Sequence, residues 1–393
     1  MDLTNEALAR WLGRVGEWLN LPEDARRIRR SDRRSALAED PGADRAVAAM
    51  LDWLDEAQQE GGGIAEHFSL LSGWSGVCPA STGATLRVLV PLPDREAQSR
   101  RALHAVLALQ RPDGGFPDSP EWNRPSRPFA SGQALLGLVA AERRFGGLKE
   151  AVAMAAGWLA ETQEAKGYWT HAASGLQQPG GRSYDAQAAW ALLEADSLLP
   201  GHGWRDAALS ALAWTQAQQR GNGWFDHCTA GDRGRPLTLT LGLAVRGFLE
   251  SYRLARVLRH LDAAVMAGWA LVAVQRKDGA LPGALDDKWE ADAAWSCLPG
   301  NAAVASCWML LYRETRDEAF LRAARAANGF NRRTLSLEGR AATKGGVRGS
   351  YPVDGGYARF RYPSIGAVLA VESNRLEDAV TGDLADSGSV ASS

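Results

Sequence analysis

A segment that recurs every 52 to 56 residues restricts the fold of this chain more than any other feature. Each copy has a helical pattern that ends in Gln, a turn with Gly and a bulky residue, a loop, and a second helical pattern that is apolar. A steady period of this length indicates one supersecondary unit stacked repeatedly, with each copy burying a face against its neighbours. The anchoring residues are Gln58, Gln110, Gln163, Gln219 and Gln275.

The period predicts six helical hairpins, the last marked by a degraded copy of the turn at Asn328–Arg333. The first helix of each pair carries charges at intervals, as an outer helix facing water does, whereas the second is nearly all apolar and small, as a buried helix is. We therefore expect an all-α protein, an α6/α6 toroid with six long loops around one mouth. The predicted pairs are 44–59 with 81–90, 95–110 with 129–145, 149–163 with 184–196, 205–219 with 237–252, 259–275 with 302–314, and 317–331 with 364–376.

Three segments are expected along the 393 residues. Residues 1–43 form an N-terminal amphipathic helix and an Arg-rich linker, residues 44–376 form the toroid, and residues 377–393, which are acidic and Ser-rich, form a disordered tail. The linker has six Arg among residues 26–35. It is either a solvated linker or surface helix, or a landing site for an anionic polymer or lipid phosphate.

Composition excludes several classes of function. A net charge of −2 gives no reason to expect a nucleic-acid partner. No segment reaches the apolar length that a transmembrane helix needs. Four Cys without a CxxC pair favour reduced thiols and a cytoplasmic location. The oligomeric state is left open.

The six loops are where chemistry is expected, because the inner helices begin there and the unpaired N–H groups of their first turns surround the mouth. Carboxylates, His and Tyr with nearby aromatic rings are typical of a carbohydrate cleft. Each candidate also has a plainer explanation, such as a hydrogen-bonded loop residue or a helix cap. The candidate acid/base residues are Tyr184, Asp185, Asp226, His227 and Asp287. The candidate substrate-binding residues are His67, Trp74, Trp122, Trp169, Trp289, Arg348, Tyr351, Tyr357 and Arg359.

Two groups of residues have side chains that could bind a metal ion. Asp286, Asp287 and Glu290 imitate an aspartate-rich motif that binds a diphosphate through Mg²⁺, although no second metal-binding motif accompanies them. A zinc site could be assembled from Cys228 and Cys297 with Asp226 or His227, but no ligand spacing supports it. No metal ligand is therefore assigned, and Mg²⁺ is expected only if a diphosphate binds.

The turns at Trp158–Trp169 and Trp214–Phe225 resemble the QW repeats of squalene–hopene cyclases and the related toroids of protein prenyltransferases. This resemblance implies a terpenoid-cyclase-like toroid and specifies no reaction. The DxDD motif with which class II terpene cyclases protonate their substrate does not occur in the chain.

The chain is also similar to a group of bacterial squalene-cyclase-repeat-like proteins associated with cell-surface polysaccharide gene clusters. The resemblance implies a protein that acts on glycans. This chain has Ala80 where an acidic residue is usual, Gln187 where Arg is usual and Leu239 where His is usual. The segments that carry it are Gly73–Gly83, Phe129–Leu138, Tyr184–Glu194, Asn222–Cys228, Ser296–Ala305 and Gly345–Ser364.

Three hypotheses follow. The first is a toroid that binds and modifies a bacterial surface glycan or its lipid-linked precursor, as a lyase, epimerase or hydrolase. The second is an isoprenoid enzyme, a cyclase or prenyltransferase that consumes a prenyl diphosphate in a deep apolar pocket. The third is a non-catalytic binding scaffold, which the three altered positions favour.

Overall fold

The computed structural model describes residues 21–34, 36–118, 124–170, 180–229 and 235–390, with residues 383–390 described as backbone. That part of the chain is mostly helical, with five strands of two or three residues. The predicted amphipathic helix at residues 1–20, the loop residue Trp122 and the end of the tail lie outside it. The helices are α1 (Glu23–Arg34), α2 (Ala43–Ala57), α3 (Pro79–Leu89), α4 (Glu96–Leu109), α5 (Pro128–Phe145), α6 (Lys149–Glu161), α7 (Ala186–Leu198), α8 (Trp204–Ala217), α9 (Thr238–Ala255), α10 (Leu258–Val274), α11 (Leu298–Thr315), α12 (Glu318–Thr334) and α13 (Ser364–Val390).

Helices α2 to α13 form six antiparallel pairs that close into a ring. The inner helices α3, α5, α7, α9, α11 and α13 each contact the next, and α13 returns to contact α3. Each of the outer helices α4, α6, α8, α10 and α12 packs against the inner helix that precedes it in the chain, and α2 packs against α13. The predicted α6/α6 toroid is confirmed. The predicted pairs, however, join each outer helix to the inner helix that follows it in the chain, whereas the structure packs it more closely on the inner helix that precedes it.

Small residues in the inner helices let their backbones approach closely. A Cβ at Gly83 of α3 would lie 2.5 Å from Cα of Ala134 in α5, and one at Gly247 of α9 would lie 2.5 Å from the carbonyl carbon of Ala186 in α7. Real Cβ atoms do not approach that closely, so a larger residue would push the ring apart. The Gly and Ala content of these helices is therefore a condition of ring closure.

The repeated Gln fastens each turn to the next outer helix. The side-chain amide of Gln219 donates to the carbonyl of Gly223 in its own turn at 3.2 Å and to Ala263 of α10 at 2.8 Å. The other four Gln make the same two bonds, to the Gly four residues later and to a carbonyl of the next outer helix. One side chain thus joins a carbonyl of its own turn to a carbonyl of the next outer helix.

The sixth turn lies elsewhere than predicted. Asn328–Arg333 is inside helix α12, and the turn that closes the ring comes later, at Gly345. Gly345 has φ 77°, like the Gly in the other five turns, and it lies against Ala49 of α2. A longer connection after α12 displaces this turn from the period, which is why counting residues misplaces it.

Five short strands join the loops at the mouth. Strands β1 (His67–Ser69), β2 (Gly73–Trp74) and β5 (Arg361–Pro363) form one sheet in the order β2-β1-β5, and β3 (Ser296–Cys297) pairs with β4 (Ser350–Tyr351). The last long loop therefore pairs with both the first and the fifth. Strands of this length are too short to show a two-residue alternation in the sequence.

Helices lie at both ends of the predicted toroid. The Arg-rich segment contains a helix, α1, packed on the toroid, and the last helix continues past Leu376 to Val390. Val380 is buried, and Glu377 accepts hydrogen bonds from Asn328 and Arg332 of α12. These contacts hold the beginning of the predicted tail against the ring. Nowhere in the described ranges is a helix both long and apolar enough to span a bilayer.

Candidate functional site

The axis of the toroid is lined by side chains that recur at helical spacing on the inner helices. A middle layer consists of Gln133, Gln187, Leu243, Ala303 and Leu369, one residue from each of five inner helices. Gln133 donates to Gln187 at 3.4 Å, and Gln187 donates to the backbone carbonyl of Leu243 at 2.7 Å. This layer places two amide side chains across the axis.

The next layer along the axis, farther from the long loops, is charged. It consists of Arg87, Trp190, Arg246 and Glu372. The guanidinium carbons of Arg87 and Arg246 lie 5.0 and 5.4 Å from the ring centroid of Trp190, which is cation–π distance. Between the middle layer and this charged layer the axis leaves a cavity of about 10 Å³, room for about one water molecule.

Carboxylates balance these buried cations. Arg87 pairs with Glu372, and Arg246 pairs with Glu250 at 2.7 Å. Burial alone would lower the pKa of Arg246, but the charges of Glu250 and Glu372 outweigh it and raise the pKa. The sequence predicts nearly uniform apolar inner helices, and the structure corrects that prediction at this layer. The missed signal is a charge inside three of the inner-helix segments, at Arg87, Arg246 and Glu372.

Above the middle layer the axis opens towards the loops. Phe129, Leu239 and Ile365 each lie one turn before a middle-layer residue of the same helix and so share its axial face. Tyr184 lies three residues before Gln187, in the 3₁₀ turn Ser183–Asp185 that leads into α7. We call this end of the axis the mouth. Phe129 and Tyr184 meet edge to face, with ring centroids 6.4 Å apart. The mouth thus has an aromatic wall above an amide floor.

Tyr184 is the polar group at the mouth whose protonation is best defined. Its ring is half-buried. Burial, followed by the negative charge of Asp185, raises the pKa of the Tyr184 phenol above its ordinary value. A phenol in this setting keeps its proton at neutral pH and can donate a hydrogen bond, while the raised pKa makes it a weaker acid than an ordinary tyrosine.

Tyr357 lies at the same end of the toroid, although it comes from the last loop. Burial, together with the charges of Cys297, Glu66 and Cys78, raises its pKa. Cys78 and Cys297 immediately precede α3 and α11, so Tyr357 is close to the loop ends of both inner helices. It is half-buried and neutral, as Tyr184 is.

Asp185 is placed differently from its neighbour Tyr184. It lies two residues before Gln187, as Ser131 lies two before Gln133 and Asn301 two before Ala303. Ser131 and Asn301 accept the backbone N–H of a turn residue, at 2.9 and 3.0 Å. Asp185 is 3% exposed, so it shares the position of residues that cap the turns rather than that of residues on the axis.

Three of the candidate acid/base residues meet at the outer rim. Asp226, His227 and Asp287 line a cavity of about 340 Å³, which we call the rim cavity. Arg220 joins the two carboxylates, at 2.8 Å from Asp226 and 2.7 Å from Asp287. Backbone carbonyls of Asp226 and His227 accept hydrogen bonds from Ser183, which ties this rim to the start of α7.

Arg348 and Tyr351 line another cavity, of about 240 Å³, between α1 and the last loop. Arg348 is almost fully buried and pairs with Asp32 of α1, so its charge is already matched. Arg359 is exposed, with its guanidinium 5.2 Å from the ring of Phe360. These three candidates therefore lie apart from the axial layers.

The remaining aromatic candidates divide between packing and the β1–β2 hairpin. Trp169 is 2% exposed and donates to the carbonyl of Leu159, and Trp289 is 8% exposed and donates to Asn222. Neither ring offers a free face to a sugar, so both interpretations as platforms are corrected. Trp74 is half-exposed on β2 and packs on Trp53, and His67 on β1 lies 3.6 Å from Glu66.

The described residues do not assemble either metal site. Asp286 accepts the backbone N–H groups of Lys288 and Glu290, while Asp287 pairs with Arg220. Burial raises the pKa of the Cys228 thiol and raises that of Cys297 to about 12, so neither is a thiolate at neutral pH. In the described ranges, no three His, Cys, Asp or Glu side chains converge as a metal would require.

Six antiparallel helix pairs closed into a ring define the α/α-toroid fold. The candidate site lies at the loop end of its axis. No family model matches the sequence, and no curated protein matches it either. Several solved structures share the fold at low sequence identity. An unsaturated glucuronyl hydrolase specific for heparin matches with TM-score 0.71 and 13% identity, over 86% of this chain and 98% of that one.

Two further solved structures show the same likeness. The cellobiose 2-epimerase of Spirochaeta thermophila has TM-score 0.68 and 14% identity, over 92% of this chain and 99% of that one. The α-mannanase of Bacteroides thetaiotaomicron has TM-score 0.59 and 14% identity, over 86% and 96% of the two chains. At such identities the likeness establishes the α/α-toroid fold alone.

Proposed function

We propose that this chain is a glycan-modifying enzyme that binds an oligosaccharide end at the mouth. The observation that carries the proposal is the mouth itself, where aromatic rings and a protonated phenol stand above an amide floor. Rings pack against sugar faces, and amides and phenols bond to sugar hydroxyls. The toroids that match in structure are named as hydrolase, epimerase and mannanase, which supports a sugar ligand.

Tyr184 is the residue we assign to proton transfer. Lyases, epimerases and hydrolases of glycans all need a proton delivered to a ring carbon or to a glycosidic oxygen. Tyr184 is half-buried and lies three residues before Gln187 of the amide layer, so we assign it by position, because its raised pKa does not make it a stronger acid. We further propose that the substrate is a bacterial surface polysaccharide or its lipid-linked precursor and that the protein acts in the cytoplasm.

The axial layers speak against the isoprenoid alternative. A polyprenyl chain needs a long apolar cavity, whereas the cavity on the axis here has a volume of about 10 Å³, and half of its ten lining residues are Gln, Arg or Glu. Burying these groups against hydrocarbon would be costly. Asp286, the first residue of the diphosphate-like motif, is engaged with backbone N–H groups.

A specific observation favours a second candidate, a sugar-binding protein without turnover. Ala80, Gln187 and Leu239 stand where the bacterial group that the chain resembles has an acidic residue, Arg and His. Gln187 lies on the axis, and Leu239 is one turn above the axial residue Leu243. Neutral side chains at these positions remove possible acid/base groups from the site.

One experiment separates the two candidates. The full chain is titrated calorimetrically with acidic and neutral oligosaccharides and then incubated with each, and products are followed by mass spectrometry and NMR. We expect binding and a product, and we expect Tyr184→Phe to bind but not to turn over. Tyr168→Phe is the control, because Tyr168 packs on Trp214 in the third turn. Binding without product supports the second candidate, and no binding to any member rejects both.

A further inference from the structure

The ion pairs that the structure shows between helix α1 and the toroid reach the last long loop between α12 and α13, while Ala25 and Ile28 of α1 pack on the core. Arg29 and Arg33 of α1 bond to Asp354 of that loop, at 2.6 and 2.9 Å. In the opposite direction, Asp32 of α1 pairs with Arg348 and accepts the backbone N–H of Val353 at 2.8 Å. Cations and anions thus alternate between the two segments.

The carboxylates in these contacts are buried, although the arginines of α1 that bind Asp354 are partly exposed. The side chains of Asp32 and Asp354 are 4% and 5% exposed. Burial by itself raises the pKa of Asp354, but hydrogen bonds from Arg29 and Arg33 outweigh it, and the pKa lies below its ordinary value. A buried carboxylate that loses its partner is strongly unfavourable, so the two segments are held together firmly.

The same loop builds part of the mouth. Its strand β4 pairs with β3 at the start of α11, and its strand β5 pairs with β1 of the first loop. Between those strands it carries Tyr357, which lies near Cys78 and Cys297 at the loop ends of α3 and α11. The position of Tyr357 therefore depends on the course of residues 348–363.

We propose that α1 is a latch that holds this loop over the mouth, and that Asp32 is its central positioning residue. Asp32 acts on two points at once, because one oxygen holds the side chain of Arg348 and the other holds the backbone of Val353. Arg348 in turn donates to the carbonyl of Thr334 at the end of α12, at 2.6 Å. Asp32 thus links α1 to the beginning and the middle of the loop.

The latch makes the mouth depend on a helix that touches none of the axial layers. When α1 is released, Arg348 and Asp354 become buried charges without partners, and residues 348–363 open. Tyr357 then leaves the wall of the mouth. The part of this inference that concerns sugar affinity rests on the proposed function, whereas the part that concerns the loop does not.

The test compares Asp32→Asn with Asp24→Asn in the full chain. Asp24 is the matched control, because it also joins α1 to this region, through Arg340, but that pair is exposed. Hydrogen–deuterium exchange followed by mass spectrometry is read over residues 348–363. Asp32→Asn should raise exchange there about tenfold or more, including at Val353, while α9 exchanges as in the wild type and Asp24→Asn changes little.

A second variant guards against a general loss of fold. Arg29→Gln combined with Arg33→Gln removes partners of Asp354 that lie on the surface of α1, so the ring stays intact. It should raise exchange over the same residues by several fold. Unchanged exchange at 348–363 in both variants overturns the latch, as does an increase spread evenly over the chain.

The sugar arm is read separately. For any oligosaccharide that binds the wild-type chain, Asp32→Asn should weaken binding about tenfold, and Asp32→Glu, which keeps the charge, should restore part of it. If the loop opens but affinity is unchanged, the loop does not shape the mouth and the inference is wrong in that part. If the wild type binds no sugar, the proposed function fails while the exchange result still decides the latch.

Discussion

Gly345 and Ala49 lie in contact although they are 296 residues apart, one in the last turn of the toroid and the other in its first outer helix. A Cβ on Gly345 would be 2.0 Å from the carbonyl oxygen of Ala49, and Gly345 has φ 77°. In the other five turns the Gly makes the same approach to the next outer helix along the chain. At Gly345 it joins the end of the ring to the beginning.

Replacing Gly345 with Ala should therefore open the closure. The left-handed conformation alone costs about 1 kcal/mol for a residue with a side chain, and the contact with a backbone oxygen adds to it. We expect the free energy of unfolding to fall by about 3 kcal/mol or more, measured in urea. Gly339→Ala is the control, since Gly339 has φ 99° but open space around it, and it should lose only about 1 kcal/mol. Equal losses would mean that the contact with Ala49 does not matter.

Gln219→Ala should destabilise one junction between neighbouring repeats. It leaves two backbone carbonyls, of Gly223 and Ala263, without their donor. A loss of about 1–3 kcal/mol is expected in the same urea assay. Gln218→Ala removes a bond to a carbonyl within its own helix and should lose less than about 1 kcal/mol. The interpretation fails if the two variants are equally stable.

The ring was predictable because its determinants recur. Gln, Gly and a bulky residue return at a fixed spacing, and each does the same physical work in each copy, so five faint signals support one another. The sixth turn shows the limit. At Gly345 the Gln is absent and the spacing is different, and only the contact with Ala49 identifies it.

The site was less predictable, because it depends on which residues share the axis. Tyr184 and Asp185 are adjacent in sequence, and the sequence predicts the same acid/base role for both. Tyr184 lies above the amide layer, whereas Asp185 lies at a turn-capping position. Trp169 was expected to bind sugar and is buried. The sequence does not predict the pairing of Arg87 with Glu372, because it joins two helices from opposite ends of the chain. The spacing of residues in the sequence indicates which face of a helix they share, but it does not indicate which residues of other helices pack against that face.

His260 should make the protein sensitive to acid. It is fully buried against Phe248, and neither ring nitrogen has a hydrogen-bond partner in the described part of the chain. Burial, and then the charge of Arg259, lower its pKa from 6.5 to about 4. Between these values the unfolded chain binds a proton that the folded chain does not. Stability is therefore complete above pH 6.5 and falls as the pH drops towards 4.

The expected size of this effect is about 3–4 kcal/mol, since the pKa falls from 6.5 to about 4 and each pKa unit corresponds to about 1.4 kcal/mol. His260→Leu should flatten the plot of unfolding free energy against pH over that window, because the variant has nothing to protonate there. His202→Gln, at an exposed histidine, is the control and should follow the wild type. A wild-type slope that persists in His260→Leu would assign the acid sensitivity to other groups.

Variants of the charged axial layer should show whether its ion pairs contribute to stability or to sugar binding. Glu372→Gln leaves Arg87 as a buried cation without its partner, and removal of one member of such a pair costs about 3–5 kcal/mol. Removing both charges, in Arg87→Met with Glu372→Leu, should restore stability to within about 1 kcal/mol of the wild type, because the cost of desolvating two charges is also removed. Urea unfolding of the two variants measures the difference. A double variant as unstable as the single one would show that Trp190 needs the guanidinium above its ring, since Arg87 lies 5.0 Å from that ring. A stable double variant that no longer binds a sugar would instead place the layer in the floor of the site.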